Sequence, residues 1–128
     1  WKGTVRRIAA KTVLRMQREF GTRPEDVLAA IGPSIGPCCY EVGPEVERQF
    51  QEAFSGHEAA LFSHPDAVGG THLSLWAANR LQLEEIGVLR EHIDEARTCT
   101  ACHHEDFFSY RADGGQTGRL GAVIALRS

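Results

Sequence analysis

The stretch that decides the fold is Val27–Phe50, which reads VLAAIGPSIGPCCYEVGPEVERQF. Its apolar start is closed by Gly32-Pro33, a pattern typical of a buried strand. A second Gly-Pro pair follows, after which CCYEV favours the opening of another strand. Gly43-Pro44 then begins a helix, because proline is well tolerated at the first helical position. Strand, rigid turn, strand and helix in direct succession predict an α/β or α+β domain.

Helices and strands alternate on both sides of this stretch. Apolar residues at helical spacing predict one helix over Gly3–Phe20 and another over residues 73–87. Further strands are predicted over residues 93–100 and 119–126. We therefore predict a mixed α/β (α+β) fold of layered sheets packed with helices. Residues 1–128 are expected to form one domain, or the C-terminal part of a larger single domain.

The composition excludes several classes of function. The chain has 128 residues, of which 42% are hydrophobic, and a formal net charge of −3. That size can bury a core, whereas the acidic balance offers no electrostatic footprint for nucleic acid. No apolar run reaches the length of a membrane helix, and no signal-peptide pattern opens the chain. We predict a cytoplasmic protein with free thiols that binds neither nucleic acid nor a membrane.

Two adjacent cysteines, Cys38 and Cys39, follow the second Gly-Pro pair. Adjacent cysteines rarely bridge each other, because the geometry is strained. A thiol after a rigid turn can be a nucleophile or a metal ligand if its pKa is lowered. Since no histidine lies near them in sequence, small buried thiols packed under the turn are the favoured interpretation.

A second group, Cys99-x-x-Cys102 followed by His103 and His104, carries four side chains that can ligate a metal. A structural zinc site normally needs a second pair of ligands at a suitable spacing. Cys38-Cys39 can supply that pair in space, but we expect adjacent ligands to fit a tetrahedral site poorly. A solvated loop is the simpler interpretation. The alternative function is a non-catalytic metal- or partner-binding module around Cys99, Cys102, His103 and His104.

The segment Phe107–Gly121 reads FFSYRADGGQTGRLG and joins flat aromatic side chains to arginines on a glycine-rich turn. An aromatic face suits a heterocycle, and Arg111 and Arg119 suit a phosphate or carboxylate. Together they would make half of a nucleoside pocket. The other interpretation is a turn whose aromatic side chains are core and whose arginines are solvated.

Several segments, taken in order, resemble the purine nucleoside phosphorylase family, also labelled polyphenol oxidase or laccase-domain. These segments are WKGT, IGPSIGPCCYEV, LWAANRLQL, the CT of TCTAC, and FFSYRADGGQTGR. The resemblance is to the C-terminal half of the family's proteins and runs over nearly the whole chain. Some relatives in this family act as peptidoglycan editing factors.

The resemblance implies a cytosolic, mixed α/β enzyme that is monomeric or a homodimer. Its reactions would be phosphorolysis of purine nucleosides and deamination of adenosine, and an oxidase activity on polyphenols is also assigned to the family. The resemblance further implies a zinc or copper ion held by two histidines and one cysteine. Trp1 matches the tryptophan of the family motif H-A-G-W-[KR]-G-T, so all three ligands would precede it.

We therefore expect this chain to contain no catalytic residue and no ligand of the family's metal, and to be inactive in isolation. Trp1 opens the sequence and Met16 is its only methionine, so we expect a piece of a longer protein. The purine nucleoside and phosphate would contact a wall made from this chain. Ala112 stands where the family usually has a second arginine, which removes one anion contact. The expected substrate-binding residues are Cys38, Cys39, Tyr40, Phe108, Arg111 and Arg119.

Overall fold

A computed structural model describes residues 1–65 and 69–127. Helices α1 to α5 span Lys2–Val5, Ile8–Phe20, Pro44–Ala53, Glu58–Leu61 and Leu75–Glu84. Strands β1 to β5 span Ala29–Ile31, Glu41–Val42, Phe62–Ser63, Thr71–Leu73 and Ile93–Glu95. β1 pairs in parallel with β5, whereas β4 lies between its antiparallel neighbours β2 and β3. The predicted mixed α/β fold is confirmed.

The predicted helix over Gly3–Phe20 is broken in the structure at Arg7. This residue has a φ of 58°, in the left-handed region that a regular helix cannot include. Its Nη1 donates to the carbonyl oxygen of Ala53 at 3.0 Å, and its guanidinium lies 4.9 Å from the ring centroid of Phe54. It also forms an ion pair with Glu85. These contacts hold the strained residue and attach the α1–α2 junction to the end of α3.

Helix α5 lies between two clusters of buried apolar side chains. The first cluster contains Tyr40, Phe50, Phe54, Leu61, Leu73, Ala77 and Ala78. The second contains Val13, Val27, Leu83, Val88 and Ile93. The Ser74 hydroxyl caps α5 by accepting a hydrogen bond from the Ala77 N–H. The buried side chain of Gln82 accepts from the Ala10 N–H at 3.2 Å, which satisfies a free donor in the first turn of α2.

Three strand predictions are corrected by the structure. Over residues 93–100 the strand is confined to Ile93–Glu95, and Cys99 forms an isolated bridge with Ser34. In CCYEV only Glu41–Val42 is a strand, because Cys38 and Cys39 lie in a turn. Residues 119–126 are irregular rather than a strand, and Val123 and Leu126 are almost fully exposed. A strand needs a neighbouring strand to receive its backbone hydrogen bonds. Within the described residues no backbone hydrogen bond connects 119–126 to another segment.

The Glu95 carboxylate anchors the end of β5 among arginines. Its side chain is only 5% exposed and lies 2.8 Å from Arg97, 3.1 Å from Arg80 and 3.5 Å from Arg90. Burial alone would raise the pKa of Glu95. Hydrogen bonds from Arg97 and Arg80 outweigh that effect and hold the pKa below its ordinary value. The ionised carboxylate therefore stabilises the folded chain.

We expect this contribution to disappear in acid. Because the pKa of Glu95 is lowered by folding, the stabilisation is complete above the unfolded-state pKa and is lost as pH falls through the lower folded-state pKa. Urea unfolding at a series of pH values should show a smaller acid loss of stability for Glu95→Gln than for the wild type. The exposed Glu91→Gln variant is the matched control and should follow the wild type. If the free energy of unfolding falls equally with decreasing pH in the wild type and in Glu95→Gln, the arginines do not bind an ionised carboxylate.

Candidate functional site

The candidate site lies where the loop after β1 meets the loop after β5. Ser34 donates its N–H to the Thr98 carbonyl oxygen at 3.2 Å, and Thr100 donates to the Ser34 carbonyl oxygen at 3.1 Å. These bonds extend the β1–β5 pairing as a parallel bridge between Ser34 and Cys99. The two loops, which are far apart in sequence, are therefore held side by side.

The loops enclose a cleft of about 560 Å³. It brings together four of the six predicted substrate-binding residues, namely Tyr40, Phe108, Arg111 and Arg119. Cys38 and Cys39 are not among the residues that line it. Ser34 and Thr117, which belong to the two segments singled out in the sequence, also line the cleft. Trp1 and Leu75 line it as well, and they reach it only because distant segments fold against each other.

Two aromatic side chains of the second loop, Phe108 and Tyr110, are open to solvent. Phe108 is 55% exposed and Tyr110 is 68% exposed, so neither belongs to a core. Gly118 packs closely under Phe108, since a Cβ at that position would lie 2.7 Å from the ring. Tyr40 is buried, and desolvation raises the pKa of its phenol although Arg111 acts in the opposite direction. The wall thus offers exposed aromatic faces beside a neutral phenol.

Two guanidinium groups stand beside these rings. The Cζ atom of Arg111 lies 5.4 Å from the ring centroid of Tyr40, and its Nη1 donates to the Glu41 carbonyl oxygen at 3.2 Å. Arg119 donates from Nη1 to the Gly118 carbonyl oxygen at 2.9 Å. Arginine has five N–H donors. In the described part of the chain both side chains use only Nη1, which leaves donors for an anion.

An aspartate-centred turn holds this loop in shape. The Asp113 carboxylate accepts from the Thr117 hydroxyl at 2.6 Å and from the Ser109 N–H at 3.1 Å, and these bonds lower the pKa of Asp113. Gly115 has a φ of 87°, which favours glycine, and donates its N–H to the Tyr110 carbonyl oxygen. The turn therefore fixes Arg111 and Arg119 on one side of the cleft.

The structure regroups the predicted metal-ligating residues. The Sγ atoms of Cys38, Cys39, Cys99 and Cys102 all lie within 4.8 Å of one another, and neither neighbouring histidine belongs to this group. Of the alternative cluster of Cys99, Cys102 and the two histidines, only the cysteines belong to the group, and Cys38-Cys39 supplies the second pair. Cys38 is also exposed rather than buried under the turn. Folding of the two loops onto each other, rather than local spacing, selects the group.

The thiols differ in acidity. Although Cys38 is exposed as a residue, partial desolvation of its thiol and a hydrogen bond to Cys102 raise the pKa of Cys38. A hydrogen bond to Cys102 and burial raise the pKa of Cys39 to about 11. Burial opposes ionisation of Cys99, but backbone N–H groups, led by that of Gly36, outweigh it and lower the pKa of Cys99 to about 6. Protonated Cys38 and Cys39 are poor nucleophiles.

The described residues do not form the metal site that the family resemblance implies. That site needs two histidines and one cysteine. Within 1–65 and 69–127 the group of side chains close enough to share an ion consists of cysteines alone. That this chain contributes no ligand to the family's ion stays a prediction. None of the helices within residues 1–65 and 69–127 has the length and hydropathy of a membrane span.

Comparison with known proteins defines the class. Residues 1–127 match the family model described as multi-copper polyphenol oxidoreductase laccase. A protein of Bacteroides thetaiotaomicron named purine nucleoside phosphorylase is 45% identical over 98% of this chain and 46% of its own length. Adenosine deaminase RL5, from an unknown prokaryotic organism, is 41% identical over 93% of this chain and 45% of its own length.

The fold agrees with this match. The crystal structure of the hypothetical protein YfiH of Bacillus licheniformis superposes with a TM-score of 0.85 and 37% identity, over 92% of this chain and 44% of that one. The chain belongs to the multi-copper polyphenol oxidoreductase laccase family, whose relatives here are named purine nucleoside phosphorylase and adenosine deaminase. It spans about half the length of the curated relatives that it matches.

Proposed function

We propose that this chain forms the nucleoside-binding wall of a purine nucleoside phosphorylase-like enzyme. The observation that carries the proposal is the cleft in which Phe108 and Tyr110 present open rings beside the guanidinium groups of Arg111 and Arg119. One relative is named a purine nucleoside phosphorylase and another an adenosine deaminase, and both names support purine nucleosides as the substrate class. A cytoplasmic location and a homodimer remain predictions.

The lining residues suit both halves of the substrate pair. A purine ring stacks on the open face of Phe108 or Tyr110, an arrangement that aromatic pairs favour. Phosphate oxygens accept charge-assisted hydrogen bonds from Arg111 and Arg119. Holding the phosphate beside the ribose C1′ makes its attack effectively unimolecular. As a phosphate oxygen bonds to C1′, the C1′–N bond breaks and its electron pair leaves with the purine, which takes up the proton that the phosphate releases. The products are the free base and a ribose phosphate.

In this proposal the chain binds and orients the nucleoside and the phosphate. The zinc or copper ion of the family is held by residues other than those described. Deamination of adenosine is the second candidate reaction, favoured by the relative that carries that name. It needs water in place of phosphate. Dependence of turnover on phosphate therefore separates the two reactions.

Release of hypoxanthine from inosine tests the proposal. A full-length protein of the relatives' size that carries residues 1–127 should release the base only when phosphate is present. Residues 1–128 alone should give no turnover, because the described part of the chain gathers no two-histidine, one-cysteine group. Turnover by residues 1–128 alone would place the chemistry in this chain. Absence of any purine nucleoside turnover in the longer protein would refute the proposed function.

A further inference from the structure

The four cysteines form a cluster that the proposed function does not use. We propose that Cys38, Cys39, Cys99 and Cys102 bind one Zn²⁺ ion as a closed tetrathiolate site. The proposal rests on the sulfur positions and on ligand chemistry. It therefore stands or falls independently of the nucleoside cleft.

The sulfur positions fit a tetrahedral ion. The Sγ atom of Cys102 lies 3.6 Å from that of Cys38 and 3.4 Å from that of Cys39, and all four lie within 4.8 Å of one another. A tetrahedron with Zn–S bonds of about 2.3 Å places its sulfur atoms roughly 3.8 Å apart. Small side-chain adjustments are enough to admit the ion, and neither loop has to be rebuilt.

The adjacent cysteines can both serve because they lie in a helical turn and not in a strand. The N–H groups of Cys39 and Tyr40 each donate to the Gly36 carbonyl oxygen at 3.0 Å. Successive side chains of a helical turn point about 100° apart, whereas those of a strand point to opposite faces. Both sulfurs therefore reach Cys102, and the expected misfit of adjacent ligands does not arise.

The second pair of ligands comes from a turn that is equally well held. The His103 N–H donates to the Cys99 carbonyl oxygen at 3.1 Å and closes the Cys-x-x-Cys turn. The Gly36 N–H donates to the Cys99 Sγ at 3.2 Å. Such outer hydrogen bonds orient a ligand and stabilise its negative charge. The bridge between Ser34 and Cys99 fixes the two turns relative to each other.

The donor set selects the type of ion. Four soft thiolates, with no carboxylate or imidazole in the group, disfavour Mg²⁺ and Ca²⁺ and suit Zn²⁺. Four protein ligands complete the coordination of zinc, so the site is structural in type. Cys38 and Cys102 are exposed, which gives the ion a path from solvent. On binding, thiol protons pass to the buffer as Zn–S bonds form, and nothing is oxidised or reduced.

The position of the site defines its role. Tyr40 follows Cys39 directly, and Thr100 lies between Cys99 and Cys102, and both residues line the cleft. An ion shared by the two turns would cross-link the two loops that form the cleft wall. The expected consequence is a more stable and more rigid wall.

Metal titration of the reduced, metal-free chain tests the site. One equivalent of Co²⁺ should produce the intense visible absorption of tetrahedral cobalt thiolate, and one equivalent of Zn²⁺ should displace it. Zn²⁺ should also raise the Tm. Cys102→Ser should lower Zn²⁺ affinity by more than about 100-fold, because loss of even an outer-shell partner costs about 10–100-fold. Its metal-free Tm should equal that of the wild type.

A matched variant separates the site from the neighbouring histidines. The double substitution His103→Ala and His104→Ala should leave Zn²⁺ affinity unchanged. If Cys102→Ser does not fold, Cys38→Ser, which removes the other exposed ligand, tests the same loss of Zn²⁺ affinity. Wild-type affinity in the serine variant, loss of affinity in the histidine variant, or an octahedral cobalt spectrum would overturn the proposal. A Cys39–Cys102 disulfide that forms in a reducing glutathione buffer and blocks Zn²⁺ would overturn it as well.

Discussion

Arg111→Ala is expected to weaken phosphate and nucleoside binding by roughly ten- to a hundredfold or more in the full-length enzyme. The lost group is a charge-assisted donor, and such a hydrogen bond contributes about 1.5–3 kcal/mol. The fold should tolerate the change, because Arg111 is exposed. Among the described residues it contacts the Tyr40 ring and the Glu41 carbonyl oxygen. The Tm should therefore remain close to that of the wild type.

Calorimetric titration with phosphate and inosine measures this effect. Arg111→Lys should be intermediate, because it keeps the charge and loses the forked donor geometry. Arg48→Ala, an exposed arginine on α3 away from the cleft lining, is the control and should bind like the wild type. Wild-type affinity in Arg111→Ala would mean that the Arg111 side chain is solvated and does not contact the ligand. Unfolding of that variant would mean that Arg111 stabilises the fold, and it would contradict the placing of the nucleoside pocket at this turn.

Gly36→Ala is the second substitution with a large expected effect. A Cβ at Gly36 would lie 2.7 Å from Cη2 of Trp76 and 3.1 Å from Cβ of Cys99. The indole cannot easily withdraw, since its Nε1 donates to the Ser34 hydroxyl at 2.7 Å. Forcing extra volume into such a packed position costs about 1–3 kcal/mol. The free energy of unfolding should fall by that amount.

Urea unfolding compares this variant with Gly32→Ala. Gly32 belongs to the same loop, and a Cβ there would meet nothing within 4 Å. Gly32→Ala should therefore keep nearly wild-type stability. Equal stability of Gly36→Ala and the wild type would mean that Trp76 and Cys99 are not packed against the turn. The contact between the two loops would then be looser than the structure indicates.

The elements that could be predicted from the sequence are those with local signals. Apolar spacing predicts helix α5, and the Gly-Pro start predicts α3. The break at Arg7 has no local signal, because Ala53, Phe54 and Glu85 hold it from distant segments. The strand predicted over residues 119–126 had the right composition. Composition alone does not supply the neighbouring strand that would receive its hydrogen bonds.

The same distinction applies to the site. The pairing of aromatic rings with Arg111 and Arg119 could be predicted, because all these residues belong to one turn. The sequence raises the grouping of Cys38-Cys39 with Cys99 and Cys102 only as a possibility, because the cluster depends on the Ser34 bridge between loops that are distant in sequence. Interpreting CCYEV as a strand also places the sulfur atoms of Cys38 and Cys39 on opposite faces. The helical turn, which the sequence did not indicate, brings them together.

Photolabelling with 8-azidoadenosine tests the central claim most directly, since it reports where a purine nucleoside lies. Labelled peptides of the full-length protein, identified by mass spectrometry, should contain Tyr40 or the segment Phe107–Arg119, and excess inosine should remove the label. Label that inosine displaces from some other surface, such as the groove between α2 and β1 that Val13 and Leu28 line, would contradict the assignment of this cleft as the nucleoside wall.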